Sequence, residues 1–119
     1  MATNQRRPHL LAYDIADPRR LVKVHRTVRD YGLPLQYSVF LVVATVHDLD
    51  LLLADLDRII HPKEDDIRVY PLPMTFDADA YGRQWLPAGV DLPENASLSQ
   101  ALLAMVAEQD SRAAARDAN

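Results

Sequence analysis

The chain reads as an α+β fold, a small β-sheet with two helices laid across one face, and three observations predict it. Strand-like and helix-like runs alternate at short spacing; the strand-like runs are apolar on both sides; the helix-like runs each carry one apolar stripe. With 119 residues, 49% of them hydrophobic, there is material for a single core and hence one domain.

The first element, His9 to Ile15, sets Leu10, Ala12 and Asp14 on one side and Leu11, Tyr13 and Ile15 on the other, as suits a central strand. Asp17 can cap a helix that opens on Pro18, where the missing amide hydrogen costs nothing, and Gly32 follows its last turn. Leu21, Val24, Val28 and Tyr31 form its buried stripe. From Leu35 to Ala44 a β-branched and aromatic run reads as one strand, with Val39, Leu41 and Val43 facing away from Phe40, Val42 and Ala44.

A second helix is expected from about Asp48 to Ile60, because Leu49, Leu52, Leu53, Leu56, Ile59 and Ile60 recur at helical spacing; Asp48 and Asp50 favour its first turn and Pro62 stops it. Ile67 to Leu72 is a strand that Pro71 and Pro73 mark as ending or lying at a sheet edge. Beyond it, Tyr81 to Leu86 suggests a short extra strand, and Ser97 with Gln100 resembles a capping box before a last helix bearing Leu98, Leu102, Met105 and Val106. The expected division is a folded domain over 1–86 and a C-terminal extension with a helix over 87–119 that docks on a partner.

This order is a split βαβ arrangement of the ferredoxin-like kind. Such a domain leaves one sheet face uncovered, yet that face carries Leu10 and Ala12, so a homodimer packed sheet to sheet is expected. No run approaches the roughly eighteen apolar residues of a membrane span, and the N-terminus lacks the apolar stretch of a secretory signal, so the reading is a cytoplasmic protein without a membrane partner. The absence of cysteine excludes disulfides and thiolate metal sites. The net charge of −4 hides an asymmetry: residues 1–34 balance at +4 and the remainder at −8. A basic first third is compatible with a phosphate-facing surface, although such a run is more often a solvated helix face.

Asp14, a carboxylate at a strand-to-helix junction, is the candidate metal-binding and catalytic group; its bland alternative is a bond to loop amides. Arg19, Lys23 and Arg26 share a helical face, and Arg20 lies nearer the core rim and the Asp14 loop, which makes it the preferred phosphate partner. His9, His25, His47 and His61 lack metal-site spacing and read as surface or capping residues; Asp65 and Asp66 read as a solvated turn. Tyr13 reads as core, and no histidine or glutamate is placed as a general base.

Taken together, Tyr13-Asp14-Ile15, Asp17-Pro18-Arg19-Arg20-Leu21-Val22-Lys23-Val24, Tyr31-Gly32, Gln36-Tyr37-Ser38-Val39-Phe40 and Asp65-Asp66-Ile67-Arg68-Val69-Tyr70-Pro71-Leu72 resemble the small CRISPR-associated endoribonuclease family Cas2 over residues 9–73. The resemblance implies a ferredoxin-like βαββαβ homodimer, with the run from Gln36 to Ala44 bent into two short strands. It implies Mg2+ or Mn2+ held by one Asp14 from each subunit, Arg19, Arg20 and Lys23 on nucleic acid, and Phe40 as an interface aromatic, for which ordinary core is an equal alternative. Cleavage of RNA or DNA, and bridging of Cas1 integrase subunits when spacers are captured, are the activities it implies. Magnesium suits this donor set, since it takes hard oxygen ligands, retains waters and often uses only one or two protein carboxylates. The chain departs from the family at Pro34, where an arginine is often found; losing that phosphate contact favours a non-catalytic scaffold that clamps duplex DNA.

Overall fold

In the computed structural model, which describes residues 5–79 together with Tyr81, Ala104 and Ala107, six elements follow one another in the order βαββαβ. They are β1 (Arg7–Asp14), α1 (Pro18–Arg29), β2 (Leu33–Gln36), β3 (Val39–Ala44), α2 (Val46–Ile59) and β4 (Asp66–Pro71). The strands form one antiparallel sheet in the order β2-β3-β1-β4, so the strand carrying Asp14 is central, as its two apolar sides predict. The ferredoxin-like architecture is confirmed.

The helix-side core contains Leu11, Tyr13 and Ile15 from β1 and its exit, Phe40, Val42 and Ala44 from β3, Val24 and Val28 from α1, and Leu52 and Leu56 from α2. Leu21, Tyr31, Leu49, Leu53, Ile67 and Val69 pack around it. Burying each of the larger aliphatic or aromatic side chains fully is worth about 1.5–3 kcal/mol, so this layer holds the helices on the sheet. Asp17 caps α1 as expected, its carboxylate accepting from the backbone N–H groups of Arg19 and Arg20, both at 3.0 Å. Helix α2 starts two residues earlier than its leucine pattern suggests. Its cap is Thr45, whose hydroxyl accepts from Asp48 N at 3.0 Å.

The run from Leu35 to Ala44 is not one strand. It turns at Tyr37-Ser38, and β2 begins at Leu33, with a register shift between Pro34 and Gln36 against β3. Pro34 sits on an edge strand, where a missing N–H is tolerated. Gly32, between α1 and β2, is fixed by close approach: a Cβ there would lie 2.8 Å from the Leu41 carbonyl oxygen and 2.8 Å from Val42 Cγ2.

On the sheet face away from the helices, Leu41 and Val43 form a second cluster with Leu33, Leu35, Leu72, Phe76 and Ala78. The segment after β4 thus lies over part of the face predicted to be open, tied by Leu72 N donating to Pro8 O at 3.0 Å. Most of the expected strand at Tyr81–Leu86 and of the terminal helix lies outside the described residues; Ala104 and Ala107 are helical. Among the described residues no helix is long and apolar enough to cross a membrane.

Candidate metal and nucleic-acid site

Alternation along β1 sends Tyr13 into the helix-side core and Asp14 to the opposite face, where the residue is exposed. Antiparallel pairing of β1 with β4 then sets Asp66 directly across from Asp14, and Arg68 across from Ala12. Cross-strand partners share a face, with side chains starting about 4.5–5.5 Å apart. Asp14 and Asp66 therefore form a neighbouring pair of carboxylates at the end of the sheet. Like charges so placed repel, and Arg68 offsets part of this by donating Nε–H to Asp66 at 2.9 Å. The Asp14 carboxylate has no hydrogen-bond partner among the described residues, so the loop-amide alternative is not realised.

Hard oxygen donors, solvent exposure and local negative charge fit a magnesium or manganese ion, which keeps waters and uses few protein carboxylates. Among the described residues no group of three or more metal-ligating side chains assembles within one chain. Among the described residues this pair stands alone, and a bound ion would complete its coordination with water, substrate phosphate or a second copy.

Asp65, next to Asp66, has a different fate from the solvated turn the sequence suggests. Its side chain is fully shielded from solvent and accepts from Arg20 Nε at 2.8 Å, Arg20 Nη2 at 3.2 Å, His61 N at 2.8 Å and Ala16 N at 2.9 Å. The Arg20 hydrogen bonds, followed by the His61 and Ala16 amides, overcome desolvation and hold its carboxyl far below the ordinary value of 3.8. Glu64 adds a second carboxylate to Arg20 at 3.3 Å. Arg20, preferred for phosphate on sequence grounds, is thereby engaged in clamping the β1–α1 loop to the entry of β4. To take a phosphate it would have to release Asp65.

Arg19 and Lys23 are exposed on α1 and their side chains have no partners among the described residues. Neither bonds to Asp14, whose side chain projects from the other side of the sheet. Phe40 is completely buried on the helix side, 6.2 Å from the Tyr13 ring, so it has no surface to offer an interface in this chain. His25, read as surface, places Nδ1 2.9 Å from the Tyr13 hydroxyl and packs edge-on against Phe40 at 5.4 Å. Burial, with a smaller contribution from Tyr37, raises the Tyr13 phenol above its ordinary value of 10.0. Helical periodicity did put His25 one position beyond Val24 in the stripe, which is the signal that could have placed it at the core rim.

Residues 8–78 match the profile of the family described as CRISPR associated protein Cas2. A protein of Nitrosomonas europaea named CRISPR-associated endoribonuclease Cas2 1 is 42% identical over 81 residues, covering 68% of this chain and 77% of the relative. A protein of Thermodesulfovibrio yellowstonii named CRISPR-associated endoribonuclease Cas2 2 is 43% identical over 68 residues, covering 57% and 75%. Among solved structures, the hypothetical protein TT1823 from Thermus thermophilus superposes with a TM-score of 0.63 at 30% identity, covering 69% of this chain and 98% of that one. Streptococcus pyogenes Cas2, solved at pH 6.5, gives 0.53 at 34% identity, covering 56% and 86%.

Proposed function

Because the chain belongs to the CRISPR-associated protein Cas2 family, we propose that it is a metal-dependent endoribonuclease of a CRISPR system, taking part in spacer acquisition and acting as a homodimer. The observation that carries this reading is the Asp14 carboxylate, exposed at the end of the central strand, opposite Asp66 and without a hydrogen-bond donor among the described residues. Two carboxylates on one face repel each other and together attract a divalent cation.

Asp14 and Asp66 would hold Mg2+ or Mn2+, which when bound acts as a Lewis acid on phosphate oxygen and lowers the pKa of its water. In the proposed dimer the uncovered sheet faces meet and the partner copy supplies a second Asp14. Within this chain, Arg68 moderates the charge of Asp66, and Arg19 and Lys23, exposed and without partners among the described residues, draw the phosphate backbone towards the β1–α1 end of the sheet. His25 is ruled out as the general base at Asp14, since it belongs to the opposite side of β1.

A second reading is a non-catalytic dimer that binds duplex DNA and bridges Cas1 integrase subunits. The engagement of Arg20 with Asp65 and the proline at position 34 favour it, because both reduce the free cations available to a scissile phosphate. Incubating the protein with end-labelled RNA and DNA, with magnesium and with EDTA, separates the two. Magnesium-dependent cleavage lost in Asp14→Asn supports the nuclease; no cleavage by the wild type, with co-purification of Cas1, supports the scaffold.

A further inference from the structure

A concave site of about 300 Å³ lies on the helix side of the same sheet end, lined by Tyr13, His25, Tyr37, Arg26 and Arg29 with Leu21 and Val22 as its apolar wall. Neither the Asp14 chemistry nor the core accounts for it. Tyr37 is 84% exposed at the tip of the β2–β3 hairpin, a large aromatic held in water beside a pocket. Its neighbour Ser38 fixes the tip to β1 by accepting from Tyr13 N at 3.1 Å. Arg26 and Arg29 occupy the last turn of α1 and have no partner among the described residues. The helix dipole favours cations there, but it explains neither the exposed ring next to them nor the cavity between. The floor is polar: Tyr13 Oη and His25 Nδ1 are 2.9 Å apart, and His25 Nε2 has no hydrogen-bond partner among the described residues.

An exposed aromatic face, an apolar wall, a polar floor and two guanidinium groups with no counter-charge among the described residues together select a planar, hydrogen-bonding anion. We propose that this pocket is a subsite for one unpaired nucleotide of a nucleic-acid strand, with its base against Tyr37 over the Tyr13–His25 pair and its phosphate at Arg26 and Arg29. Its volume falls at the small end of ligand sites, about 300–1,000 Å³, which suits one nucleotide and not a base pair. Because Tyr13 and Asp14 are consecutive and project to opposite faces, a strand anchored here crosses the end of β1 on its way to the carboxylates. The inference rests on the nucleic-acid reading above and adds to it a preference for unpaired segments.

Fluorescence anisotropy in EDTA, which removes any contribution from metal, measures it with labelled single-stranded RNA, single-stranded DNA and blunt duplex DNA. Tyr37→Ala and the Arg26→Ala/Arg29→Ala double variant should each weaken single-strand binding by about 10-fold, while Tyr37→Phe, which keeps the ring, binds as the wild type does. Circular dichroism melting should be unchanged, because all three side chains are exposed. Wild-type affinity in both alanine variants overturns the proposal, as does an equal loss on duplex, which would make the arginines a plain phosphate patch. Asp14→Asn, assayed separately for cleavage in magnesium, tests the nuclease reading by itself: if it cleaves as the wild type does, that reading falls while the pocket result stands.

Discussion

Asp14 and Asp65 come within one residue of facing each other across the β1–β4 ladder, yet their carboxylates have opposite surroundings. That of Asp65 is fully shielded and receives donors from Arg20, His61 and Ala16; that of Asp14 is exposed and receives none from the described residues. The acid the fold satisfies internally fixes a loop, and the acid it leaves unsatisfied is available to a ligand. If the proposed function holds, neighbouring acids divide stability from activity, and measurement can break that division.

The largest effect is expected at Asp14. Replacing groups that merely orient a metal ligand costs 10–100-fold, so Asp14→Asn should reduce magnesium-dependent cleavage by more than about 100-fold. Its stability should stay within about 0.5 kcal/mol of the wild type, as for a surface substitution, read from urea melts. A destabilised Asp14→Asn would blur the contrast. Asp65→Asn should do the reverse. It removes the charge facing Arg20 and turns one of the two accepting oxygens into an N–H donor set against Arg20 and either Ala16 N or His61 N, so the Tm should fall on the order of 5–10 °C, while folded protein at low temperature keeps its cleavage.

The same contrast appears in the acid limb of stability. The Asp65 carboxyl is depressed in the folded state, so below about pH 5 the folded protein binds fewer protons than the unfolded chain, and stability falls as pH falls. Its contribution is complete above the ordinary carboxylate value of 3.8 and is lost as pH drops through that value towards the folded one. Thermal melts from pH 6 to pH 3 should show that slope in the wild type, retained in Asp14→Asn and reduced in Asp65→Asn. The smallest effect is expected at Arg19 and Lys23, where alanine should lessen the salt slope of nucleic-acid binding by about one per residue and leave the Tm unchanged. Arg20→Ala should instead act on the Tm, and an altered salt slope in that variant would show that Arg20 leaves Asp65 to take phosphate.

The parts of this architecture set by local rules were legible in the chain, and those set by register were not. Asp17-Pro18 with the Leu21, Val24, Val28 stripe announced α1 because capping and helical periodicity act within a few residues. The apolar sides of β1 announced its central place for the same kind of reason. The Tyr37-Ser38 turn escaped because it lacks the glycine, asparagine or aspartate that marks a tight hairpin, so β2 and β3 read as one run. Thr45 was hidden as a cap by Val46, which extends the apolar run of β3 past its end.

Asp65 could not be distinguished from Asp66 on sequence, since its three donor residues come from α1, the β1–α1 loop and the turn after α2. The pairing of Asp14 with Asp66 likewise depends on how β4 registers on β1, which no local pattern encodes. Family resemblance pointed to Asp14 and, with it, to Arg20 on nucleic acid, but it gave no sign that Arg20 is committed to Asp65 or that Arg26 and Arg29 border a cavity.

Gly32 sets a tolerance for all of this. A single methyl at that point would strike main chain as well as a side chain, and the main chain it strikes belongs to the hairpin that carries Tyr37. No rotamer choice relieves such a collision; the hairpin must shift. A randomised library at position 32 should therefore return glycine alone among variants that retain single-strand affinity, even where the replacement still folds.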